Sequence, residues 1–178
     1  MKFFKYLAII LAGIMILVGI IGLFLPYDKH IERQITINAP AARVFPYAND
    51  FRKFNQWSPW TELDDHTRYT YSGPESGVGA KMQWAGDYEY VGKGVQEILE
   101  SEADKFVKTR VEFAFMEPAS TSFRLSENDG KTTVTWSFDI YMGNTIFRFS
   151  GLIFDSWAWV GDTYEQGLSN LKILVESE

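Results

Sequence analysis

The 178-residue chain contains no cysteine and only two histidines, His30 and His66. The missing thiols exclude disulfide bonds, thiolate metal sites and cysteine nucleophiles, although they leave the cellular compartment open. Asp64 and Asp65 adjoin His66 in one polar turn. Neighbouring residues rarely converge on one ion, and no second cluster in the sequence completes a coordination shell. We therefore expect a solvated turn, with no metal and no cofactor.

Basic side chains are also scarce. Two of the 17 lysines and arginines lie in the first 25 residues, which leaves 15 against 23 acidic side chains, a net charge of −8. This balance argues against a nucleic-acid partner and against a domain that lies flat on anionic lipid. The glycine-rich stretch SGPESGVGA lacks Gly-Lys-Ser/Thr and precedes an alternating strand pattern, so it predicts a hairpin loop and not a phosphate loop.

Charge is absent altogether from Leu7 to Leu25, a run of 19 residues. A helix of this length spans about 28 Å at ~1.5 Å per residue, close to the ~30 Å hydrocarbon core of a bilayer. A secretory signal peptide has a shorter apolar core and a small-x-small cleavage site, which the following FLPYDKH does not offer. We expect an uncleaved transmembrane anchor over residues 1–27 and one domain over residues 28–178, with cleavage as the alternative.

The orientation of this anchor depends on the flanking charges. Lys2 and Lys5 precede the run, and Lys29 and Arg33 follow it closely, so the two sides are nearly tied. The short basic N-terminus favours a single-pass membrane protein whose domain lies on the outer side, periplasmic or extracellular.

The domain begins with one strand and two short helices. HIERQITIN alternates as a strand with one mainly apolar face. Asn38 is placed as the cap of the first helix, with Pro40 in its first turn. A second helix is expected to begin at Asn49-Asp50 and to stop near Ser58-Pro59, because the residue before proline avoids the helical region.

Antiparallel strands follow from His66 onward. Alternation is clear in RYTYS, in AKMQWAG, in KFVKTRVEFAF, around Thr121, Phe123 and Leu125, and in TTVTWSFDI. Asn128-Asp129-Gly130 predicts a hairpin turn. Gly92 and Gly94 predict a bend or bulge in the strand that contains them.

The C-terminal segment changes to a helical period. Apolar positions recur at steps of three and four and predict one amphipathic helix of more than twenty residues, with Gly161 interrupting its buried stripe: Phe154, Trp157, Gly161, Tyr164, Leu168, Leu171 and Val175. A single-faced sheet needs such a helix to cover it, so the sequence predicts an α+β fold.

Four stretches in this order resemble the START-like, or SRPBCC, superfamily, and within it the bacterial proteins called polyketide cyclase/dehydrase. They are ITINAPAARVF, NDFRKFNQWSPW, YSGPESGVGAKMQW and GDTYEQGLSNLK. The resemblance implies a helix-grip fold, in which a curved antiparallel sheet wraps around the C-terminal helix and leaves an apolar cavity between them. It does not imply one reaction, because this superfamily includes lipid carriers, ligand-binding allergens and aromatases.

The same resemblance indicates which residues line that cavity. We expect Trp57 to cap the core and Trp60 to lie at the rim, and we expect the inner face to collect aromatic side chains that are difficult to close-pack without voids. Such rings are also common in a plain core. The candidate ligand-binding residues are Trp60, Tyr69, Tyr71, Met82, Trp84, Phe113, Phe123, Trp136, Phe138, Trp157 and Tyr164.

Three functions remain open from the sequence, as does the oligomeric state. The favoured one is a membrane-tethered, non-enzymatic binding domain for a hydrophobic small molecule: a lipid, an isoprenoid or a polyketide-like compound. The second is a cyclase or dehydratase in which the same cavity folds a poly-ketone and one acid or tyrosine moves protons; the strand acids Glu97, Glu100 and Asp139 could serve if they face inward. The third is a protein-interaction module with a filled core and an outer apolar patch near Phe149, Ile153 and Trp159.

Overall fold

The computed structural model describes residues 2–24, 26–87, 91–114, 117–143 and 156–177. The helices are α1 (Lys2–Phe24), α2 (Ala41–Asn49), α3 (Phe51–Phe54), α4 (Trp60–Leu63) and α5 (Ser156–Ser177). The strands are β1 (Asp28–Ile37), β2 (Arg68–Ser72), β3 (Lys81–Ala85), β4 (Lys93–Glu102), β5 (Phe106–Phe113), β6 (Ala119–Asn128) and β7 (Lys131–Tyr141).

All seven strands form one antiparallel sheet in the order β1-β7-β6-β5-β4-β3-β2. The first strand therefore pairs with the last, and Asp28 lies opposite Tyr141. The predicted hairpin joins β6 to β7, where Asp129 and Gly130 both adopt positive φ angles, 51° and 71°. Two consecutive positive φ angles are the geometry of a two-residue hairpin turn that matches the strand twist.

Helix α5 lies along the inner face of the sheet and runs parallel to β1. Its N-terminal half faces Arg33 across Gly161, while near its C-terminus Lys172 donates to the carbonyl of Thr36 at 2.7 Å. The predicted stripe is confirmed for the described residues: Gly161, Tyr164, Leu168, Leu171 and Val175 are buried, and Trp157 is partly buried. Phe154 lies outside the described residues.

The structure corrects two helix boundaries. Asn38 does not cap α2, because its side chain and its backbone N–H both donate to Glu176, at 2.8 and 2.7 Å. Pro40 takes the N-cap position and provides no side-chain hydrogen bond. The second helix, α3, ends at Phe54, well before Pro59, and the short helix α4 that begins at Trp60 was not predicted.

The bend or bulge predicted at Gly92 and Gly94 is present only as a bend at Gly92, and β4 has no bulge at either glycine. Gly92 has a positive φ of 58° but precedes the strand, and Gly94 lies in regular register opposite Trp84 and Phe113. The register shift falls instead between Ile98 and Glu100. The role of Gly94 is to leave room for the indole ring of Trp84, which a Cβ at this position would overlap.

Helix α1 contains a 20-residue segment, Phe3–Gly22, that is long and apolar enough to cross a membrane, with a mean hydropathy of 2.5 and an 18-residue stretch in which no residue is buried. Membrane anchors and N-terminal signal sequences share this property. Only residues 25–27 separate α1 from β1.

Candidate ligand-binding groove

Within the described parts of the chain, the inner face of the sheet is covered at one end and more exposed at the other. Along β5, Val107 and Thr109 are fully buried, whereas Phe113, at the end of the strand, is partly exposed. Along β3, Met82 is buried and Trp84 is partly exposed. The exposure of inward-facing residues therefore rises along both strands in the same spatial direction.

The antiparallel register shows which end is open. Phe113 pairs with Gly94 near the start of β4, which pairs with Trp84 near the end of β3. The same end of the sheet holds the start of β1 at Asp28 and the end of β7 at Tyr141. We call this the open end. The opposite end is closed by α2 and α3, which contribute buried side chains to the core.

The closed half of the interior is filled by aromatic rings packed on one another. Trp136 stacks on Tyr164 with centroids 3.7 Å apart and on Phe123 at 5.1 Å. Trp57 and Trp60 meet the same indole edge-to-face at 5.2 and 5.6 Å. Edge-to-face and offset stacking let large rings fill space densely. The expectation that these rings leave voids therefore fails around Trp136.

Other predicted lining residues are only partly buried where they pack against the core, and we infer that they border a groove. It lies between the inner face of β2–β5 and the first turns of α5, and most of its walls are aromatic. We define the groove by its partly exposed, inward-facing members: Trp60, Tyr69, Tyr71, Trp84, Phe113, Trp157 and Val160. The remaining candidates, Met82, Phe123, Trp136, Phe138 and Tyr164, are buried beneath it or beside it.

Neighbouring side chains fix the groove aromatics in place. Trp84 donates its indole N–H to the carbonyl of Val91 at 3.0 Å and meets Phe113 edge-to-face at 5.9 Å. The hydroxyl of Tyr71 accepts a 2.9 Å hydrogen bond from Asn55. The guanidinium of Arg52 lies 4.6 Å from the centre of the Tyr71 ring, a cation–π contact.

Neutral polar groups lie at the floor of the groove. Gln96 is 7% exposed and donates to the hydroxyl of Thr109 at 2.8 Å. On the next strand, the Thr121 hydroxyl donates to the carbonyl of Ser137 at 2.6 Å and accepts from the Trp136 indole at 2.7 Å. Together with aromatic walls, a few buried hydrogen-bonding groups are the usual composition of a small-molecule site.

Tyr164 contributes the buried ionisable group nearest to this polar floor. Its hydroxyl lies 3.4 Å from the Thr121 hydroxyl. Burial raises the pKa of Tyr164 far above its usual range, which outweighs the opposite effect of the hydrogen bond to Thr121. The phenol is therefore a neutral hydrogen-bonding group at physiological pH and not a base.

Gly161 makes room on α5 for a side chain of β1. A Cβ at this position would overlap the guanidinium of Arg33, which fills the space beside the glycine. Arg33 forms an ion pair with Glu165 at 2.6 Å and also donates to the carbonyl of Glu32 at 2.9 Å. The missing side chain of Gly161 thus accommodates an arginine and does not enlarge a cavity.

The strand acids considered as general bases face outward. Glu97 pairs with Lys81 at 3.1 Å, Glu100 with Lys108 at 3.5 Å and Asp139 with His30 at 2.6 Å. Arg110 pairs with Glu112, and Arg124 lies over the ring of Phe106. Arg148 lies outside the described residues. These charges belong to the outer surface.

The Asp64-Asp65-His66 turn organises the loop before β2. Asp64 accepts hydrogen bonds from the backbone N–H groups of His66 and Asp87, at 2.9 and 2.7 Å, and from the hydroxyl of Thr67. These bonds, led by the one from Asp87, lower the pKa of Asp64. The three side chains lie close enough to touch one ion, but loop geometry alone explains their positions.

Two depressions occur on the convex outer face of the sheet. One, of about 530 Å³, lies over β2–β5, and the other, of about 630 Å³, lies near the start of β1 and the end of β7. The first is lined by outward-facing Arg68 and Glu112 and also by Trp84 and Phe113, and the second is lined by His30 and Asp139 among others. Neither combines aromatic walls with a buried polar floor.

Sequence reasoning missed the polar floor and one groove wall. Thr109 and Thr121 fall on the inward side of strands whose sequence alternates. The pattern therefore predicts their orientation, but it does not show that their hydroxyls form hydrogen bonds. The inward orientation of Gln96 was not predicted, because the residue at which β4 begins was not known from the sequence. Val160 lies four residues before Tyr164, on the same side of α5, and its partial exposure was not predictable from the periodic stripe.

Comparison with solved structures supports the helix-grip architecture. The Aha1 dimer structure from Colwellia psychrerythraea matches with a TM-score of 0.60 and 18% identity, over 83% of this chain and 96% of that one. A ginseng major latex-like protein from Panax ginseng gives 0.60 and 13%, over 83% and 97%. CalU16 from Micromonospora echinospora gives 0.56 and 16%, over 83% and 76%. At these identities the likeness establishes the fold alone.

The family comparison covers nearly the whole chain after α1. No curated protein matches the sequence. The family described as polyketide cyclase/dehydrase and lipid transport matches residues 28–176. This range begins at the first residue of β1 and reaches the last turn of α5. It confirms the superfamily expected from the four sequence stretches, and the chain belongs to the polyketide cyclase/dehydrase and lipid transport family.

Proposed function

We propose that this protein is a membrane-anchored, non-enzymatic binding protein for a hydrophobic small molecule, which occupies the groove between β2–β5 and α5. One observation carries the proposal. On β3 and β5 the inward-facing aromatics become partly exposed toward one end, beside buried neutral hydrogen-bonding groups. Aromatic side chains left partly in water on the concave side of a sheet favour an apolar occupant.

The charge distribution around the groove supports a ligand without a net charge. The floor groups Gln96 and Thr109 are uncharged, and Tyr164 is kept neutral by its raised pKa. The ion pair of Arg33 with Glu165 is internally compensated, and the guanidinium of Arg52 lies over the outer wall residue Tyr71 and not at the floor. An ionised ligand group placed at the floor would lose its hydration without gaining an opposite charge.

The anchoring part of the proposal is supported by α1. The helix has the length and hydropathy of a span, and the family match begins only after it. Lys2 and Lys5 at its N-terminus favour a cytoplasmic tail and a domain on the outer side. The family description includes lipid transport, which agrees with a ligand of membrane origin.

Photolabelling of the full-length chain in phosphatidylcholine vesicles tests the binding site. A small apolar diazirine probe should form adducts on groove peptides that contain Trp84 and Phe113, in addition to adducts on α1. Val160→Trp should suppress the groove adducts, because an indole in the first turns of α5 would fill the groove. Ile173→Trp is the matched control, since Ile173 is a β-branched residue of the same helix that is 66% exposed.

Labelling confined to α1 in the wild-type chain would contradict the proposal. The protein-interaction reading would then take its place, with Trp159 as its starting point, because this side chain is 51% exposed on α5. Phe149 and Ile153, the other residues of that expected patch, lie outside the described residues.

An enzymatic role as a cyclase or dehydratase is a second candidate, favoured by Tyr164. A neutral phenol beside the groove floor has the chemistry to donate a hydrogen bond to a carbonyl that becomes an enolate. Tyr164→Phe separates the two functions. In the binding protein it changes affinity modestly and no turnover accompanies binding, whereas in an enzyme it lowers kcat and leaves binding of a polyketone substrate largely intact.

A further inference from the structure

The open end of the groove coincides with the attachment point of the apolar helix. Asp28, the first residue of β1, lies at the same end of the sheet as Trp84, Gly94 and Phe113. Four Cα–Cα steps join Phe24 to Asp28, and even a fully extended chain covers at most about 14 Å in that distance. If α1 spans a bilayer, the open end lies at the bilayer surface, and the closed end points away.

Exposed aromatic side chains surround this end of the domain. Tyr27 and Tyr141 stack with centroids 6.1 Å apart and remain 42% and 58% exposed. Trp159 is exposed in the first turns of α5, whose N-terminal half lies toward the same end. Tyrosine and tryptophan favour the interface between headgroups and hydrocarbon, where their rings are shielded and their polar atoms stay hydrated. Their position is independent support for contact with a membrane surface.

The charges near the open end have both signs. Lys29, Arg68 and Lys93 alternate with acidic residues such as Asp28 and Asp87. Among the described residues no basic patch forms that would require anionic lipid. Contact with the bilayer therefore depends on the tether and on the aromatic side chains, and a zwitterionic surface suffices.

Gln96 indicates what the groove takes from this surface. Its amide donates one hydrogen bond to Thr109, and among the described residues the second N–H and the carbonyl oxygen have no partner. A buried, half-satisfied amide costs free energy unless a ligand or water completes its hydrogen bonds. Gln96 lies three residues into β4, about 10 Å from the strand start at ~3.3 Å per residue.

We propose that the groove opens onto the bilayer and takes from it a neutral lipid whose hydroxyl or carbonyl group hydrogen-bonds to Gln96, with its chain directed back toward the membrane. The inference rests on the proposed binding function and names its ligand class: uncharged amphiphiles such as long-chain alcohols, quinones or diacylglycerols. Phospholipids with charged headgroups do not match the neutral floor.

The orientation is testable because the chain has no cysteine of its own. Lys93→Cys and Lys131→Cys place single thiols at the starts of β4 and β7, at the open and closed ends respectively. The two ends are about 30 Å apart along an 11-residue strand. Each single-cysteine variant carries one fluorophore and is placed in vesicles that contain spin-labelled phosphatidylcholine. The fluorescence of the label at position 93 should be strongly quenched, and that of the label at position 131 should not be quenched.

The ligand class is testable with paired photoactivatable lipids in phosphatidylcholine vesicles. A diazirine diacylglycerol should label groove peptides of the full-length chain, whereas phosphatidic acid with identical acyl chains should label only α1. Gln96→Leu should reduce groove labelling by diacylglycerol about fivefold, the value of one or two lost hydrogen bonds. Gln83→Leu is the matched control, because Gln83 is exposed on the outer face of the neighbouring strand.

The possible outcomes separate this inference from the proposed function. An unquenched label at position 93, with an apolar probe still labelling the groove, overturns the bilayer-facing opening but leaves the binding function intact. Equal groove labelling by phosphatidic acid, or no effect of Gln96→Leu, overturns the neutral-lipid assignment. Absence of groove labelling by every probe, together with quenching at position 93, removes the binding function itself and the ligand class with it.

Discussion

The indole of Trp136 and the phenol of Tyr164 lie stacked, with ring centroids 3.7 Å apart and planes inclined by 17°. This contact joins the best-defined strand to α5 and marks the boundary between the filled core and the groove. Trp136 also donates its indole N–H to Thr121 at 2.7 Å, whereas the Tyr164 hydroxyl is 3.4 Å from the same oxygen.

These contacts predict unequal effects of two conservative substitutions. Trp136→Phe should lower the free energy of unfolding by about 1–3 kcal/mol, because it removes a buried hydrogen bond and leaves a small cavity. Tyr164→Phe should cost less than about 1 kcal/mol, because its hydrogen bond is long. Denaturant unfolding of a chain that begins at Asp28 measures both, and the reverse order of effects would contradict the assigned packing.

Substitution by alanine should affect stability differently at two glycines. Gly94→Ala should destabilise the domain by about 1–3 kcal/mol, because the new methyl group meets the Trp84 ring and the backbone carbonyl of Glu112. Gly161→Ala should change stability by less than about 1 kcal/mol, since the end of the flexible Arg33 side chain can move and alanine favours the helix. Thermal unfolding distinguishes the two cases, and equal destabilisation would show that Arg33 is rigidly held.

How far the sequence predicts this structure depends on whether a feature is local. The hairpin at Asp129-Gly130 and the buried stripe of α5 follow from turn chemistry and period, which neighbouring residues determine. Helix α4 was missed because its four residues are too few to show a period. The bulge after Ile98 has no glycine to mark it.

The sequence pattern does not predict features that depend on residues far apart in the chain. The space beside Gly161 is filled by Arg33, 128 positions earlier in the chain, and only the packing of α5 on β1 brings them together. Likewise, alternation predicted that the lining residues on the strands face inward. Their division into a filled cluster around Trp136 and an open groove around Trp84 depends on where α5 and α4 cover the sheet.

The ion pair of His30 with Asp139 on the outer face predicts a pH-dependent contribution to the free energy of unfolding. The hydrogen bond that the His30 ring donates to the Asp139 carboxylate, assisted by the nearby charges of Asp139 and Glu32, raises the pKa of His30 above its ordinary value of 6.5. A histidine whose pKa is higher in the folded than in the unfolded state stabilises the fold. The stabilisation is complete at pH values below the unfolded-state pKa, and it is lost as the pH rises through the folded-state pKa. Asp139→Asn should bring the His30 pKa down, as measured by NMR titration of its ring protons. An unchanged titration would contradict the contact.

Retention of α1 is expected in the mature protein. Alkaline carbonate extraction should leave the full-length chain in the membrane fraction, because a 20-residue apolar helix does not dissolve in water. A chain that begins at Asp28 should be soluble. A mature N-terminus near residue 26 in cells would identify the helix as a cleaved signal sequence and would remove the tether from this account.

The most direct measurement of the central claim is native mass spectrometry of the chain that begins at Asp28, after incubation with vesicles that contain neutral lipids and separation from them. The account predicts one bound neutral lipid per domain, retained by Ile173→Trp, lost in Val160→Trp and reduced in Gln96→Leu. A wild-type domain that emerges without any bound lipid, and with the same spectrum as Val160→Trp, would show that the groove holds no ligand.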